Sequence, residues 1–97
     1  MIEPGSTWVL GYLAAVLAAR GDAGALEEAI QLCERARTAA VGNSVGLRAH
    51  VTAAHGIVLL RSGDAAAACE KLDEARELDT HSLVAADLGL LLELERQ

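Results

Sequence analysis

The sequence predicts an all-α fold of five helices, arranged as two antiparallel hairpins followed by a terminal helix. Apolar residues make up 53% of the 97 residues but aromatic residues only 2%, so the core must be built from alanine, leucine and valine. The only proline, Pro4, lies near residue 1 and interrupts no later helix, and runs of β-branched residues are scarce. The pair Gly-Asp recurs at residues 21–22 and 63–64, between segments with helical spacing.

The first hairpin is predicted over residues 7–40, with Ser6 or Thr7 as the N-cap of its first helix. Its two helices are separated at Gly21-Asp22. Glycine can adopt the left-handed conformation that ends a helix, and aspartate can accept hydrogen bonds from the amides that begin the next one. A break this short makes the two helices antiparallel neighbours.

The second hairpin is predicted over residues 46–79, after a loop at 41–45 in which Ser44 is a candidate N-cap. Its break at Gly63-Asp64 has the same chemistry as the break in the first hairpin. Small residues on both helices let the two backbones approach closely, and leucines fill the space beyond the contact. These small residues are Ala53, Gly56, Ala68 and Ala75.

The terminal helix is predicted over residues 82–96, with Thr80 or Ser82 as its N-cap. One side carries Val84, Leu88, Leu91 and Leu92, which would cover the second hairpin, and another side carries Leu83, Leu90 and Leu94. A helix that is apolar most of the way round is buried on more than one side. We therefore expect either that the chain is part of a longer array or that this helix packs on another molecule.

Residues 49–80 resemble a tetratricopeptide repeat, a helix-turn-helix unit that stacks on copies of itself. Gly56, Ala68 and Ala75 match the family pattern, and Leu88-Gly89 copies the first half of a repeat. The family's aromatic positions hold Leu59 and Leu72, while Thr52, His55 and Thr80 stand where the pattern has Trp, Leu and Pro. The resemblance implies a short solenoid of stacked hairpins.

The register of the first hairpin is open in the sequence. One alignment places Leu10-Gly11 on His55-Gly56, and it places Ala29, Cys33 and Ala36 on Ala68, Leu72 and Ala75. This alignment lengthens both helices by three residues. An alignment without insertions puts Leu13, Ala14 and Leu17 in the places of the first helix instead.

The resemblance also implies a binding surface, because the first helix of each repeat lines a concave groove in that family. Carried onto this chain, the groove holds His50, Ala53, Ile57, Leu60, Arg61, Leu83, Ala86, Leu90 and Leu94. Ala53 and Ile57 stand where carboxylate-binding members of the family have polar or basic residues, so a C-terminal carboxylate is not the expected ligand. An apolar groove is suited to an amphipathic helix.

The formal net charge of −6 opposes binding to nucleic acid and to anionic membranes, both of which require clustered basic residues. The apolar run at residues 8–19 is too short to span a bilayer. Cys33 and Cys69 form no disulfide framework and suit a reducing cytoplasm. Abundant Ala, Leu and Arg, with Lys71 as the only lysine, indicate a bacterial source with GC-rich DNA.

No pattern in the sequence predicts a catalytic, cofactor or metal site. His50 and His55 are five residues apart and point to different sides of one helix, so they cannot form an i, i+4 metal pair. No nucleophile motif or phosphate-binding glycine loop occurs. A small enzyme that uses one of these histidines with Cys33 or Cys69 is the least favoured hypothesis.

The sequence therefore predicts a protein-interaction scaffold or adaptor without enzyme activity, whose partner is another protein or a peptide. A self-associating structural module, with a homodimer formed through the terminal helix, is the first alternative. The second alternative is a piece of a larger bacterial regulator that contains tetratricopeptide repeats.

Overall fold

A computed structural model of the chain describes residues 4–42, 44–79 and 81–96, without the side chains of residues 4–6, 83, 95 and 96. The described residues form five α-helices, and none of them lies in a strand. The helices are α1 (Pro4–Arg20), α2 (Ala23–Ala40), α3 (Val45–Arg61), α4 (Ala65–Leu78) and α5 (Leu83–Arg96). The all-α prediction and the number of helices are confirmed.

The two Gly-Asp breaks have the predicted chemistry. Gly21 and Gly63 have φ angles of +77° and +97°, in the left-handed region where a side chain is strained. Asp22 and Asp64 are the N-caps of α2 and α4, and each carboxylate accepts a hydrogen bond from the amide three residues later, at 2.8 and 3.1 Å. The turns are therefore determined by local residues rather than by distant packing.

Serine hydroxyls cap two further helices. The hydroxyl of Ser44 accepts a hydrogen bond from the Leu47 amide at 3.3 Å, and that of Ser82 accepts one from the Ala85 amide at 3.3 Å. Both serines had been singled out as candidate caps from the sequence. The other candidate for α5, Thr80, lies outside the described residues.

Helix α1 begins earlier than the sequence predicts. It starts at Pro4 rather than near residue 7, so Ser6 and Thr7 lie inside the helix and are not its N-cap. The physical reason is that proline fits the first turn of a helix, where no backbone amide is needed for an intrahelical hydrogen bond. Residues 4–6, which precede the predicted start of the first hairpin at residue 7, therefore belong to α1.

Helix α3 occupies the centre of the molecule. Among the described residues it contacts each of the other four helices, whereas α5 packs along only α3 and α4, and α1 packs along only α2 and α3. The backbone extends over 40 × 30 × 17 Å. Since packed helices lie about 8–10 Å apart, the smallest dimension corresponds to about two layers of helices.

The core is built mainly from alanine and leucine, as the composition requires. Alanines with almost no exposed surface occur on each of α1 to α5, and leucines fill the space between them. Helices α3 and α5 approach closely at Gly56, because a Cβ atom at this position would overlap the buried Leu88 side chain of α5. The residues matched between the hairpins, Ala29, Cys33, Ala36, Ala68, Leu72 and Ala75, are all buried.

Candidate functional site

The four predicted groove residues nearest the centre of α3 are inside the molecule. His50, Ala53, Ile57 and Leu60 are all buried, and Arg61 at the end of α3 is exposed. Burial follows from the central position of α3, because the other helices cover it from several sides. The groove that the sequence predicts along α3 is therefore not an open surface, and these four residues are removed from the candidate partner contacts.

The predicted groove residues on α5 lie on the surface. Ala86 is exposed, and the Leu90 and Leu94 side chains keep 66% and 65% of their surface in contact with solvent. Their spacing of four residues places them on one side of the helix. We call Ala86, Leu90 and Leu94 the α5 stripe. The side chain of Leu83, the remaining predicted residue, lies outside what the structure describes.

A groove runs between α4 and α5 beside this stripe. Its volume is about 600 Å³. Its lining residues are Cys69, Leu72, Asp73, Arg76, Ala86, Gly89, Leu90, Leu92 and Glu93. We call this depression the α4–α5 groove. It combines leucine side chains with two carboxylates and one guanidinium.

A second exposed apolar surface lies on α1, and sequence reasoning missed it. Val9, Tyr12, Leu13 and Val16 are all exposed, and their spacing brings them to one side of the helix. We call these four residues the α1 stripe. The signal was present in the sequence, because the apolar residues of α1 extend over more of its circumference than one packing contact can cover.

A small pocket lies where α1, α3 and the start of α5 meet. Its volume is about 160 Å³, and it is lined by Trp8, Tyr12, Gly46, His50, Asp79, His81, Ser82 and Val84. We call it the aromatic pocket. The centroid of the His50 ring lies 4.4 Å from that of Trp8 and 4.6 Å from that of Tyr12. The chain's only tryptophan and only tyrosine are therefore both in contact with one buried histidine.

The protonation of His50 follows from its hydrogen bond. Its Nε2 lies 3.0 Å from the backbone carbonyl oxygen of Trp8. Because a carbonyl oxygen only accepts, Nε2 must carry the proton and donate it. Burial lowers the pKa of His50 below its ordinary value of 6.5, and the hydrogen bond to Trp8 acts in the opposite direction. His50 is therefore neutral at pH 7.

The other histidine of α3 faces different neighbours. Burial is the main cause that lowers the pKa of His55 below 6.5, and the positive charges of Lys71 and Arg37 lower it further. The carboxylates of Glu34 and Glu74 act in the opposite direction. The Nδ1 atom of His55 is buried and has no hydrogen-bond partner among the described residues. His50 and His55 thus lie in separate environments, in agreement with their spacing.

Nothing in the described part of the chain forms a metal site or a reactive thiol pair. No group of three or more His, Cys, Asp or Glu side chains in that part is placed to hold a metal ion. Burial raises the pKa of the Cys33 thiol to about 12, so this thiol is protonated and unreactive at pH 7. Cys69 is half-buried, and both thiols are free. Among the described helices, none has the length and apolarity needed to cross a bilayer.

Comparison of the chain with family models, curated proteins and solved structures gives no match. The resemblance to tetratricopeptide repeats therefore rests on the residue pattern. The α5 stripe, the α4–α5 groove and the aromatic pocket are three surface features from which a function can be argued, and the α1 stripe is a fourth.

Proposed function

We propose that the chain is a protein-interaction scaffold built from tetratricopeptide-like hairpins, and that it binds an amphipathic helix of a partner protein in the α4–α5 groove. No cofactor and no catalysis belong to this proposal. The observation that carries it is the exposure of Leu90 at the edge of a groove of about 600 Å³. Leu90 and Leu94, one helical turn apart, together form an exposed apolar surface beside this groove, and a contiguous surface of this kind is typical of interaction sites.

The contacts between helices support the stacked arrangement. Helix α1 packs along α2 and α3 packs along α4, in each case after a short turn. Helix α3 also contacts α1 and α5, while α2 contacts α3 and α4 contacts α5. Each hairpin of a repeat stack makes these contacts with the first helix of the next unit. In this interpretation α5 is the first helix of a third unit.

The α4–α5 groove is the place that a second helix of that third unit would occupy. Among the described residues, α5 has no helix that packs along it in the way that α2 packs along α1. A partner helix in the groove would cover Leu90 and contact the partly buried side of α4 at Cys69. Burial of apolar surface stabilises such a complex by about 25 cal/mol per Å² before the cost of association.

The experiment compares two variants that each place one carboxylate on an exposed apolar position. Leu90→Asp changes the groove, and Ile30→Asp changes an exposed position on α2 that lines none of the four surface features. Proteins captured from the source cells by the original chain and by Ile30→Asp are expected to be the same. Leu90→Asp is expected to lose them, while circular dichroism shows unchanged helicity. An identical set of bound proteins for all three chains contradicts the proposal.

Self-association is the second candidate function, and the α1 stripe favours it. Among the described residues, helices α1 and α5 each pack on α3 but not along each other, and both carry exposed apolar side chains. Two such surfaces allow head-to-tail contact between copies, with the α5 stripe of one copy against the α1 stripe of the next. Sedimentation velocity over a concentration series decides between the two functions, because a strictly monomeric chain excludes self-association.

A further inference from the structure

The two aromatic residues of the chain lie at the surface rather than in the core. Trp8 and Tyr12 are one helical turn apart on α1, and 36% and 49% of their surfaces are exposed. Large aromatic side chains normally supply much of the buried surface in a small domain. Here the core is aliphatic, and both aromatic residues line the same small pocket. The two rings are therefore accessible from solvent at this pocket.

A carboxylate lies in the same pocket and is held in position. Oδ1 of Asp79 accepts a hydrogen bond from the backbone amide of His81 at 3.0 Å. Oδ2 lies against the backbone of α3, 3.6 Å from the position that a Cβ atom would occupy at Gly46. The pocket therefore combines two aromatic rings from α1 with one negative charge from the connection between α4 and α5.

The size of the pocket restricts its ligand. Its volume of about 160 Å³ is below the range of roughly 300–1,000 Å³ that is typical of sites for drug-sized ligands and cofactors. A nucleotide or a flavin does not fit this space. A single side chain or a small organic ion does.

We propose that the aromatic pocket binds an alkylammonium group, supplied by a lysine side chain of a bound peptide or by a small quaternary ammonium ion. Trp8 and Tyr12 both line the pocket, and the π system of an aromatic ring attracts a cation; the Asp79 carboxylate, in the same lining, adds a full negative charge. The net charge of −6 raises the local concentration of cations around the chain. This site is separate from the α4–α5 groove and does not depend on the function proposed for that groove.

His50 has a positioning role in this site. It is buried in contact with both aromatic rings, and its Nε2–H group donates to the Trp8 carbonyl oxygen. Because burial keeps the imidazole neutral at pH 7, it does not repel a cation. The close approach of α1 to this ring depends on Gly11, where a Cβ atom would lie 2.5 Å from Nε2.

The test uses the fluorescence of Trp8, which is the only tryptophan in the chain. Choline is titrated against 3,3-dimethylbutan-1-ol, a neutral molecule of the same shape. In a second arm, N-acetyl-lysine methylamide is titrated against the corresponding norleucine derivative. We expect a saturable fluorescence change with at least one of the cations and a much weaker one with its neutral counterpart. The arm with the stronger response identifies the source of the ammonium group.

The variants Asp79→Asn and Glu28→Gln each remove one negative charge. Asn at residue 79 keeps an oxygen that can accept from the His81 amide, whereas Glu28 is exposed on α2, outside the pocket. Asp79→Asn is expected to weaken cation binding about two- to fivefold, and Glu28→Gln to leave it unchanged. Equal responses to the charged and neutral molecules, or equal affinities of the two variants, overturn the proposal. Leu90→Asp should leave cation binding intact, which separates this site from the groove.

Discussion

The α1–α3 and α3–α5 junctions each contain a glycine at the helix contact, but different residue types face that glycine. In both, a glycine lets two helices approach closely: Gly11 of α1 faces His50 of α3, and Gly56 of α3 faces Leu88 of α5. The first junction holds a neutral imidazole with a hydrogen bond and two aromatic neighbours. The second is aliphatic and closed at its centre.

The difference shows where this small domain can place a binding site. A buried polar group must keep its hydrogen bond, so the α1–α3 junction has a fixed arrangement around His50. The aromatic pocket lies at that junction. The α3–α5 junction contributes stability, and its exposed surface lies on the other side of α5, at Leu90. Both junctions thus have a glycine where two helices approach closely, and they differ in the residue that faces it.

The largest expected effect comes from Leu88→Ala at the aliphatic junction. Leu88 is fully buried, so the variant loses apolar contacts and leaves a cavity. We expect the free energy of unfolding to fall by about 2–5 kcal/mol, measured by urea denaturation. His50→Gln at the other junction keeps an N–H donor for the Trp8 carbonyl and should reduce stability less. A larger loss for His50→Gln than for Leu88→Ala contradicts the assignment of the aliphatic junction as the stabilising one.

Smaller losses are expected from alanine at the two close-approach glycines. In Gly56→Ala the new methyl group meets the Leu88 side chain, and in Gly11→Ala it meets the His50 ring. Overpacking of this kind reduces the free energy of unfolding by about 1–3 kcal/mol. Gly89→Ala is the matched control, because its nearest neighbour is the mobile end of the Arg76 side chain, at 3.0 Å.

The control variant Gly89→Ala is expected to change the free energy of unfolding in the opposite direction, or not at all. Alanine is the better helix former by roughly 0.5–1 kcal/mol in a helix interior. Gly89→Ala is therefore expected to be neutral or stabilising in the same urea titration. If all three variants change stability by the same amount, helix propensity rather than close packing explains the glycines.

The pH dependence of stability separates the contributions of His50, which is buried, and His55, which is half-buried. Burial lowers the pKa of His50 and of His55 below 6.5 in the folded chain, so the unfolded chain binds more protons as the pH falls past this value. Their contribution to stability is fully present above pH 6.5 and is lost as the pH falls toward the folded pKa values.

Urea denaturation at pH 7.5 and at lower pH measures this loss. The variants His50→Gln and His55→Gln should each flatten the dependence of the unfolding free energy on pH, and the double variant should flatten it most. A stability that increases on acidification through this range is the opposite of the expected result.

The sequence predicts the parts of the fold that depend on local chemistry. The breaks at Gly21-Asp22 and Gly63-Asp64 are correct because glycine ends a helix and aspartate caps the next one within a few residues. The predicted start of α1, near residue 7, is wrong because a proline can either precede a helix or form its first turn, and the local sequence allows both.

The candidate site is predicted only in part, because periodicity does not show what covers a face. Helix α3 is apolar on most of its sides, which indicates burial, whereas the family resemblance implies an open groove along it. Leu90 on α5 is exposed, and its predicted role in partner binding stays a prediction, whereas the aromatic pocket brings together Trp8, His50 and Asp79 from distant parts of the chain. The spacing of residues within one helix does not predict contacts between such distant parts of the chain.

Hydrogen–deuterium exchange, read helix by helix, tests most directly the claim that α3 is enclosed and α5 has an open side. We expect the amides of α3 to exchange most slowly, because four helices surround it, and those of α5 to exchange faster, because in the described part of the chain α5 packs along only α3 and α4. Exchange in α5 as slow as in α3, for the monomeric chain without a partner, would contradict this claim.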